Sequence, residues 1–345
     1  MKALTLAGTG GIEQLGVQEL PDPAIQKPDD VTVQVHAAAL NRLDLFVATG
    51  LPRSGLTFPH VVGSDGAGVV HRVGSAVRQF KPGDRVMINP ALSCGECPVC
   101  LEGEDSLCAS LKVLGEHRAG TVAQYIVVPA RNLAAVPANM PWPQAAAFSL
   151  ATLTAWRMLT TRARLRADET VLIWGIGGGV AIAALQIVKL IGGRTIVTSG
   201  SDAKLDVALN LGADIVLNHQ RMDIRSEVRR QTAGRGADVV VDSVGEQSWP
   251  ASLGSLRRGG RLVVCGATTG PMVSLDLRRL FWHGWSILGS TLGSLQEYAE
   301  IVRHAAEGRL WPVIDRVVPL AEAPAAYERL QRGEQVGKLV IEVAQ

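Results

Sequence analysis

Four of the chain's five cysteines lie within fifteen residues, and this cluster constrains what the surrounding segment can bind and how it can fold. The four are Cys94, Cys97, Cys100 and Cys108. Four thiolates on one short loop can surround a Zn²⁺ ion tetrahedrally and leave no position open for water or substrate. Such a closed site is structural, so the chemistry of the protein is expected elsewhere in the chain.

Disulfides and an iron–sulfur cluster are the alternatives to zinc. Disulfides are disfavoured because Met1–Gly11 is not the charged and then apolar leader that precedes export. An iron–sulfur centre often has a proline after the last cysteine, where this chain has Ala109. The sequence therefore predicts one structural zinc per chain, in a lobe of about residues 91–110. Cys265 lies alone in an apolar run and is predicted to be a small buried side chain.

Length and composition exclude several classes of protein. A chain of 345 residues, 47% of them hydrophobic, is long enough for two domains with separate cores. The formal net charge is +2 and the basic residues are scattered, so neither a nucleic-acid surface nor a membrane surface is expected. No apolar run reaches the ~18 residues that a membrane span requires. These properties predict a cytoplasmic protein.

The first part of the chain, to about Val128, consists of short extended runs separated by turns. Val31–Val35 alternates apolar and polar residues, as a half-buried strand does. Lys81–Asp84 is a turn, after which Arg85–Ile88 resumes the extended pattern. A succession of short strands of this kind predicts a compact β-barrel.

From Gln144 onwards, helices and strands alternate. The predicted strands are Val171–Trp174, Thr195–Thr198, Asp214–Leu217, Ala237–Asp242 and Arg261–Cys265. The predicted helices are Gln144–Met158, Ala181–Ile191, Asp202–Leu211, Ile224–Thr232 and Gln247–Arg257. Apolar strands between amphipathic helices predict an α/β domain with a parallel sheet covered on both faces. A last segment, Ile314–Val343, has two strands around the helix Ala321–Arg332, and we expect it to return to the first domain.

A glycine-rich turn follows one predicted strand and opens the next helix. Glycines at such a turn let backbone N–H groups approach a pyrophosphate, and the helix N-terminus adds favourable partial charge. A turn without a ligand is the alternative. The predicted dinucleotide contacts at this turn are Gly175, Gly177, Gly178, Gly179 and Val180.

The end of the second strand distinguishes the two nicotinamide dinucleotides. NAD-specific sites place an acidic residue there to bind the ribose 2′-hydroxyl, and no acidic residue occurs between Val180 and Ser201. Ser199, Gly200 and Lys204 suit a 2′-phosphate instead. Asp202 begins the next helix and is predicted to cap it. The sequence favours NADP(H), with NAD(H) as the alternative.

Together these motifs resemble the medium-chain dehydrogenase/reductase superfamily, over essentially the whole chain. The motifs that carry the resemblance are Gly63–Gly68, Lys81–Val86, the four-cysteine lobe, Leu153–Trp156, the glycine turn and Gly337–Val340. The resemblance implies a GroES-like β-barrel catalytic domain (1–148 and 291–345) into which a Rossmann dinucleotide-binding domain (149–290) is inserted. It also implies a homodimer, with a tetramer as the alternative, formed through the strand Ser286–Ser290.

The sequence departs from zinc alcohol dehydrogenases at the catalytic metal. The three positions that the resemblance assigns to zinc ligands hold Asn41, Ser64 and Leu150, none of which offers the thiolate or imidazole that zinc prefers. His60 lies four residues before Ser64 and is expected to be structural. Without the metal, no residue identified in the sequence helps to remove a proton from a simple alcohol.

Asn41 and Asp44 match the Asn-x-x-Asp motif of quinone reductases, the branch that the chain resembles more closely. The resemblance implies that they are the catalytic residues. Asn41 is expected to donate its amide N–H to a substrate carbonyl or to order the nicotinamide side of the cleft, and Asp44 to hold the loop. Phe46 stands where this motif often has a tyrosine, so that proton donor is absent.

The resemblance implies further cofactor contacts by position. Thr154 would line the nicotinamide, and Lys338 would lie near the phosphates. His219 would lie on the adenine side, with a solvated loop as the alternative. Backbone groups that meet the nicotinamide ribose and carboxamide are implied at Val244, Cys265, Gly266 and Ala267.

The function expected from the sequence is an NADPH-dependent reductase of small quinones or α,β-unsaturated carbonyls, which works without catalytic zinc. Two alternatives stay open at this point. One is an alcohol dehydrogenase with an unrecognised zinc site, and the other is a nucleotide-binding relative without catalytic activity.

Overall fold

The structure is a computed structural model that describes residues 1–51 and 55–343. The chain divides into two compact units. The first unit holds Met1–Ala151 and Gly293–Gln345, and the second holds Thr152–Leu292. The chain therefore leaves the first unit, builds the second and returns.

Strands and helices are numbered separately, in chain order, over the residues that the structure describes. The strands are β1 (Lys2–Leu6), β2 (Leu15–Glu19), β3 (Asp30–Ala39), β4 (His60–Val61), β5 (Asp65–Val73), β6 (Arg85–Ile88), β7 (Ala91–Leu92), β8 (Lys112–Val113), β9 (Tyr125–Pro129), β10 (Leu133–Ala135), β11 (Thr170–Ile173), β12 (Arg194–Ser199), β13 (Ile215–Asn218), β14 (Ala237–Asp242), β15 (Leu256–Val264), β16 (Ser286–Gly289), β17 (Ile314–Pro319) and β18 (Lys338–Glu342). The helices are α1 (Arg42–Thr49), α2 (Pro98–Leu101), α3 (Trp142–Ala147), α4 (Ser149–Arg157), α5 (Gly179–Ile191), α6 (Asp202–Asn210), α7 (Ile224–Gln231), α8 (Trp249–Ser255), α9 (Leu277–His283), α10 (Leu295–Ala306) and α11 (Ala323–Gln331).

The first unit is built on small sheets of mixed direction. The largest has the order β10-β6-β5-β3-β18-β17, with β9 also paired to β3. The C-terminal strand β18 lies antiparallel to β3, with Val340 opposite Ala39. Alternate valines of β3 are fully buried, Val31 and Val33 among them, and they pack in the core of this unit. The β18–β3 pairing brings Lys338 to the loop where β3 ends.

The second unit contains one six-stranded sheet in which every pairing is parallel. Its order is β13-β12-β11-β14-β15-β16. In chain order this is the 3-2-1-4-5-6 arrangement of dinucleotide-binding folds, whose ligands bind at the carboxyl ends of the strands. The strands β11 and β14 are buried throughout, as is typical of strands in a parallel sheet covered on both faces. The predicted parallel sheet is confirmed.

Several predicted elements have different bounds in the structure. The single helix predicted over Gln144–Met158 is two helices, α3 and α4, and its last part continues as a π-helix at Met158–Arg162. The predicted strand Arg261–Cys265 begins earlier, at Leu256, because Leu256 pairs with Ala237 of β14. That pairing ends α8 at Ser255, before the predicted end at Arg257.

None of the helices that the structure describes is both long and apolar enough to span a bilayer.

Candidate functional site

The four clustered cysteines converge in the first unit. Their Sγ atoms all lie within 4.8 Å of one another. The shortest Sγ–Sγ distances are 3.4 Å between Cys97 and Cys100 and 3.6 Å between Cys94 and Cys108. Sulfurs bound tetrahedrally at ~2.3 Å from zinc lie about 3.8 Å apart. The four thiols therefore fit a Zn²⁺ ion, which Cys94, Cys97, Cys100 and Cys108 would hold with no open position.

The segment 94–108, called the cysteine lobe below, is shaped by tight turns at glycines and by a contact with a distant helix. Gly95 has a φ of 81°, and a Cβ there would clash with the guanidinium of Arg131. The buried carboxylate of Asp105 accepts hydrogen bonds from the backbone N–H of Leu295 at 3.1 and 3.2 Å. Leu295 is the first residue of α10, so the lobe is attached to the N-terminus of that helix.

The glycine turn in the second unit joins β11 to α5. Gly175 and Gly177 have φ angles of 68° and 123°, which a residue with a side chain adopts only with strain. Gly178 is the N-cap of α5 and, having no side chain, offers no capping oxygen to the N–H groups of Val180 and Ala181. This helix N-terminus, opened by left-handed glycines, fits the pyrophosphate of a dinucleotide.

The carboxyl end of β12 carries the residues that were predicted to distinguish NADP(H) from NAD(H). Ser199 is buried, and its Oγ accepts a hydrogen bond from Ser201 N at 3.1 Å. Gly200 lies under the side chain of Gln220. Both predicted residues are thus at the end of β12, and the loop that follows β13 packs over them.

Asp202 corrects one prediction, because it does not cap α6. Ser201 is the N-cap residue, and no side-chain bond of the capping type forms there. Instead Asn218 Nδ2 donates to Asp202 Oδ1 at 2.6 Å, and Arg221 Nη1 pairs with Asp202 Oδ2 at 2.9 Å. The hydrogen bond from Asn218, together with Arg221, holds the pKa of Asp202 below its usual value.

Lys204 and His219 both lie near the carboxyl ends of the first two strands of the sheet. A Cβ at Gly177 would lie 2.8 Å from Cδ and 3.3 Å from Nζ of Lys204, so the lysine extends across the glycine turn. His219 is exposed, but its Nδ1 is 3.3 Å from Thr198 Oγ1 and its ring is 5.9 Å from the ring of Trp174. Desolvation lowers the pKa of His219. These contacts connect His219 to β12 and β11, and its place on the adenine side of the cofactor stays a prediction.

The loops after β14 and β15 are bonded to each other. Asp242 Oδ1 accepts from Val244 N at 2.8 Å, and Thr269 N donates to Val244 O at 2.8 Å. Gly266 packs so closely on Ser243 that a Cβ would lie 3.0 Å from its carbonyl oxygen. This pairing places Val244 and the segment Cys265, Gly266 and Ala267 side by side at the carboxyl end of the sheet.

Cys265 corrects a second prediction, because it is half-buried rather than buried. Desolvation and the carboxylate of Asp242 raise the pKa of its thiol to about 12, so it stays protonated.

Thr154, predicted to line the nicotinamide, lies on α4 and is buried.

The predicted catalytic residues of the first unit belong to a buried polar cluster, called the Asp65 cluster below: Asn41, Asp44, Asp65 and Lys338. Lys338 Nζ donates to Asn41 Oδ1 at 2.6 Å and to Asp65 Oδ2 at 2.8 Å. Asn41 Nδ2 donates to Asp65 Oδ2 at 3.0 Å. The lysine, the amide and the carboxylate therefore form a closed triangle with little access to water.

The geometry of this cluster bears on two predicted roles, both of which stay predictions. Asn41 was predicted to donate its amide N–H to a substrate carbonyl or to order the nicotinamide side of the cleft; in the structure its Nδ2 donates to Asp65 and its Oδ1 accepts from Lys338. Lys338 was predicted to lie near the cofactor phosphates, yet it is buried in an ion pair with Asp65. Both residues contact the protein's own groups, because an unpaired carboxylate at Asp65 would be strongly unfavourable in this interior.

Asp44 holds the loop before α1, as the resemblance implied. Its Oδ2 accepts a hydrogen bond from Asn41 N at 2.6 Å. Burial raises the pKa of Asp44 to about 7, against the opposing effects of that hydrogen bond and the charge of Lys338. The fully buried Tyr327 lies close enough for Asp44 to raise the tyrosine's pKa further, and no hydrogen-bond partner is found for its hydroxyl among the described residues.

The other positions assigned to catalytic zinc are also bonded to the protein. Ser64 Oγ donates to Leu114 O at 2.7 Å, and Leu150 N donates to Asp65 Oδ1 at 2.7 Å. His60 Nε2 lies 3.0 Å from Gly115 O, a backbone contact typical of a structural histidine. Within residues 1–51 and 55–343, the cysteine lobe is the one place where three or more His, Cys, Asp or Glu ligand atoms come together.

Three residues at these sites were not predicted: Asp65, Tyr298 and Arg221. A lone acidic residue in the apolar start of β5 is a signal that could have identified Asp65, because such a group requires a buried partner. Tyr298 Oη lies 3.0 Å from Ser149 Oγ, a contact between residues 149 positions apart that sequence does not indicate. Arg221 follows β13 in a polar segment and has no distinguishing sequence signal.

Comparison with known proteins supports the assignment of both units. A family model described as alcohol dehydrogenase GroES-like domain matches residues 27–138, and one described as zinc-binding dehydrogenase matches residues 179–307. An NAD-dependent alcohol dehydrogenase from Sulfolobus acidocaldarius is 33% identical over 99% of this chain and 100% of its own length. Human quinone oxidoreductase is 27% identical over 99% of this chain and 97% of its own length.

A solved structure agrees with these matches. The crystal structure of an NAD-dependent alcohol dehydrogenase superposes with a TM-score of 0.96 at 44% identity, covering all of both chains. The predicted fold class, a GroES-like domain with a Rossmann-type domain, is confirmed. The chain is therefore an oxidoreductase of the medium-chain dehydrogenase/reductase superfamily.

Proposed function

We propose that this oxidoreductase uses NADPH to reduce a quinone or an α,β-unsaturated carbonyl, and that it does so without a catalytic zinc. The observation that supports this proposal most is the Asp65 cluster. Asn41, at one ligand position of the zinc alcohol dehydrogenases, is held by Asp65 and Lys338, and the cluster contains no thiolate or imidazole. The ammonium of Lys338 provides the positive charge that balances Asp65.

The substrate class follows from what such a site can do. Oxidation of a simple alcohol requires help in removing the hydroxyl proton, which a Lewis-acidic metal provides. A conjugated carbonyl needs less help, because it delocalises the charge that develops as hydride arrives at its β-carbon. NADPH, when bound, supplies that hydride. The protein then contributes positioning and a pre-organised polar environment, and solvent supplies the proton.

The glycine turn and the end of β12 support the choice of NADPH. Gly175, Gly177 and the open N-terminus of α5 would hold the pyrophosphate. Ser199 and Gly200 lie at the end of β12, where an NAD-specific site has an acidic residue that hydrogen-bonds the ribose 2′-hydroxyl. The nearby Asp202 is paired with Arg221. Lys204, which extends across the turn, would add positive charge for the pyrophosphate of either dinucleotide.

Alcohol dehydrogenation is the second candidate, because relatives that are 33% and 44% identical carry the name NAD-dependent alcohol dehydrogenase. The two candidates differ in cofactor, metal content and substrate. The cytoplasmic location and the homodimer stay predictions.

The deciding experiment follows NADPH oxidation by the purified protein against a panel of quinones, enones and aldehydes. Oxidation of ethanol-like alcohols with NADP⁺ and NAD⁺ is measured in parallel, and elemental analysis counts the metal. We expect turnover with a quinone or enone, poor or absent alcohol oxidation, and one zinc per chain. Turnover should survive a chelator that leaves the zinc of the cysteine lobe in place. Two zincs per chain, with chelator-sensitive oxidation of a primary alcohol, would establish the alcohol dehydrogenase instead.

A further inference from the structure

We infer that Arg221 determines the preference for the 2′-phosphate of the dinucleotide, by neutralising Asp202 and by contacting the phosphate itself. The inference rests on the proposed use of NADPH and assigns it to a particular residue. It concerns only the second unit, at the carboxyl ends of β12 and β13.

Asp202 is the acidic residue nearest the end of β12, and both of its carboxylate oxygens are bonded to the protein. Oδ1 accepts from Asn218 Nδ2 at 2.6 Å, and Oδ2 pairs with Arg221 Nη1 at 2.9 Å. An acidic residue that selects NAD must accept hydrogen bonds from the ribose hydroxyls. Asp202 is therefore restrained from that role by Asn218 and Arg221.

A turn after β13 brings Arg221 beside Asp202. Asn218 is opposite Ser199 in the parallel pairing of β12 and β13. The chain then turns, with Arg221 N donating to Asn218 O at 3.1 Å and Gln220 N donating to Asn218 Oδ1 at 3.0 Å. Gln220 covers Gly200, so this turn lies directly over the end of β12.

Arg221 is well suited to bind a phosphate at this position. Its side chain is 70% exposed, and its pair with Asp202 is a surface contact that still leaves guanidinium N–H groups for another acceptor. A guanidinium binds phosphate oxygens in a planar, two-point geometry that an ammonium cannot reproduce. Without Arg221, the carboxylate of Asp202 would stand uncompensated beside the 2′ position and would repel a phosphate.

Lys204 cannot account for the same preference on its own. Its side chain lies across Gly177, within the turn that would hold the pyrophosphate. The pyrophosphate is common to NADPH and NADH, so the charge of Lys204 should favour both dinucleotides. The two basic residues are thus expected to have separable effects.

The test measures dissociation constants of NADPH and NADH for the full-length chain by fluorescence titration and calorimetry. Arg221→Ala is expected to weaken NADPH binding at least ten-fold and to change NADH binding less than three-fold. Lys204→Ala is expected to weaken the binding of NADPH and of NADH by similar factors.

Asp202→Asn added to Arg221→Ala should recover part of the NADPH affinity, because it removes the uncompensated carboxylate. Arg230→Ala, which breaks the exposed pair with Glu227 on α7, is the matched control and should change neither constant.

Adenosine 2′,5′-bisphosphate and 5′-AMP serve as probes that lack the nicotinamide. Only the bisphosphate should lose affinity in Arg221→Ala, and Arg221→Lys should retain part of it. A wild-type chain that binds NADH as tightly as NADPH would overturn the proposed cofactor. A wild-type preference for NADPH that Arg221→Ala leaves unchanged would overturn the role of Arg221 alone.

Discussion

Asp65 and Lys338 form an ion pair that is almost completely withdrawn from water, and the residues around them depend on it. Asp65 Oδ1 accepts from Leu150 N, and Asp65 Oδ2 accepts from Asn41 Nδ2 and Lys338 Nζ. A buried pair of this kind adds little net stability, but removal of one partner leaves the other charged and unsolvated. Lys338 therefore serves the first unit mainly by balancing Asp65.

Lys338→Met is expected to destabilise the protein by about 3–5 kcal/mol, because it leaves the carboxylate of Asp65 buried without a counter-charge. Asp65→Asn combined with Lys338→Met should recover most of that loss, since Asn can still accept from Leu150 N. Urea unfolding monitored by circular dichroism measures both variants. A double variant that is less stable than Lys338→Met would show that the charge balance is not the reason.

Asp44 gives the first unit a dependence of stability on pH. Burial raises the pKa of this carboxyl from 3.8 to about 7, so the folded chain keeps a proton that the unfolded chain releases. The contribution of Asp44 to the free energy of unfolding is complete below pH ~4. It is lost as pH rises through about 7, and the loss is at most about 4 kcal/mol. Asp44→Asn should match wild type in acid and exceed it at pH 8. Denaturant unfolding of both proteins from pH 5 to pH 8 would contradict this if the two curves stayed parallel.

At the scale of elements, α10 links the cysteine lobe to the Asp65 cluster within the first unit. Asp105 of the lobe accepts from the first N–H of α10, and Ser294 and Glu297 form a capping box at the same end. One turn further on, Tyr298 contacts Ser149, the residue before Leu150. The lobe thus orients a helix whose other contact adjoins Asp65.

Asp105→Ala is expected to lower stability by about 1–2 kcal/mol, because it removes an acceptor and a negative charge from the N-terminus of α10. Asp105→Asn keeps one acceptor oxygen and should lose less. Zinc content is expected to stay at one per chain in both, since Asp105 is not a ligand in the four-cysteine set. Thermal unfolding with elemental analysis tests this, and loss of zinc from either variant would mean that Asp105 supports the metal rather than the helix.

The elements that sequence predicted well are those whose signals are local. The glycine turn needs only a strand, four glycines and a helix in succession, and β14 lies where its apolar run predicts, over Ala237–Asp242. The Asp65 cluster depends on Lys338 and Asn41, which are 297 positions apart and meet only because β18 pairs with β3. Asp202 was predicted to cap α6 for a similar reason, because its partner Asn218 lies 16 positions away at the end of β13. Local patterns cannot indicate such contacts.

At the scale of the whole molecule, the second unit presents an apolar surface next to an open strand edge. Strand β16 is the last strand of its sheet and pairs only with β15 among the described residues. The adjacent helix α9 has no buried residue, and Phe281 and Trp282 are 72% and 67% exposed. Open edges and large exposed apolar side chains are typical of surfaces that another chain covers.

We expect this surface to join two copies of the chain, in agreement with the dimer that the resemblance implies for Ser286–Ser290. A two-fold axis lets β16 of one copy pair with β16 of the other and brings Phe281 and Trp282 out of water. The double variant Phe281→Glu and Trp282→Glu should therefore be monomeric by light scattering after size exclusion. Leu101→Glu, at a 75% exposed leucine of the cysteine lobe, is the control and should keep the wild-type mass. If the double variant kept that mass while Leu101→Glu lost it, the cysteine lobe would be the interface and the assignment to β16 and α9 would be wrong.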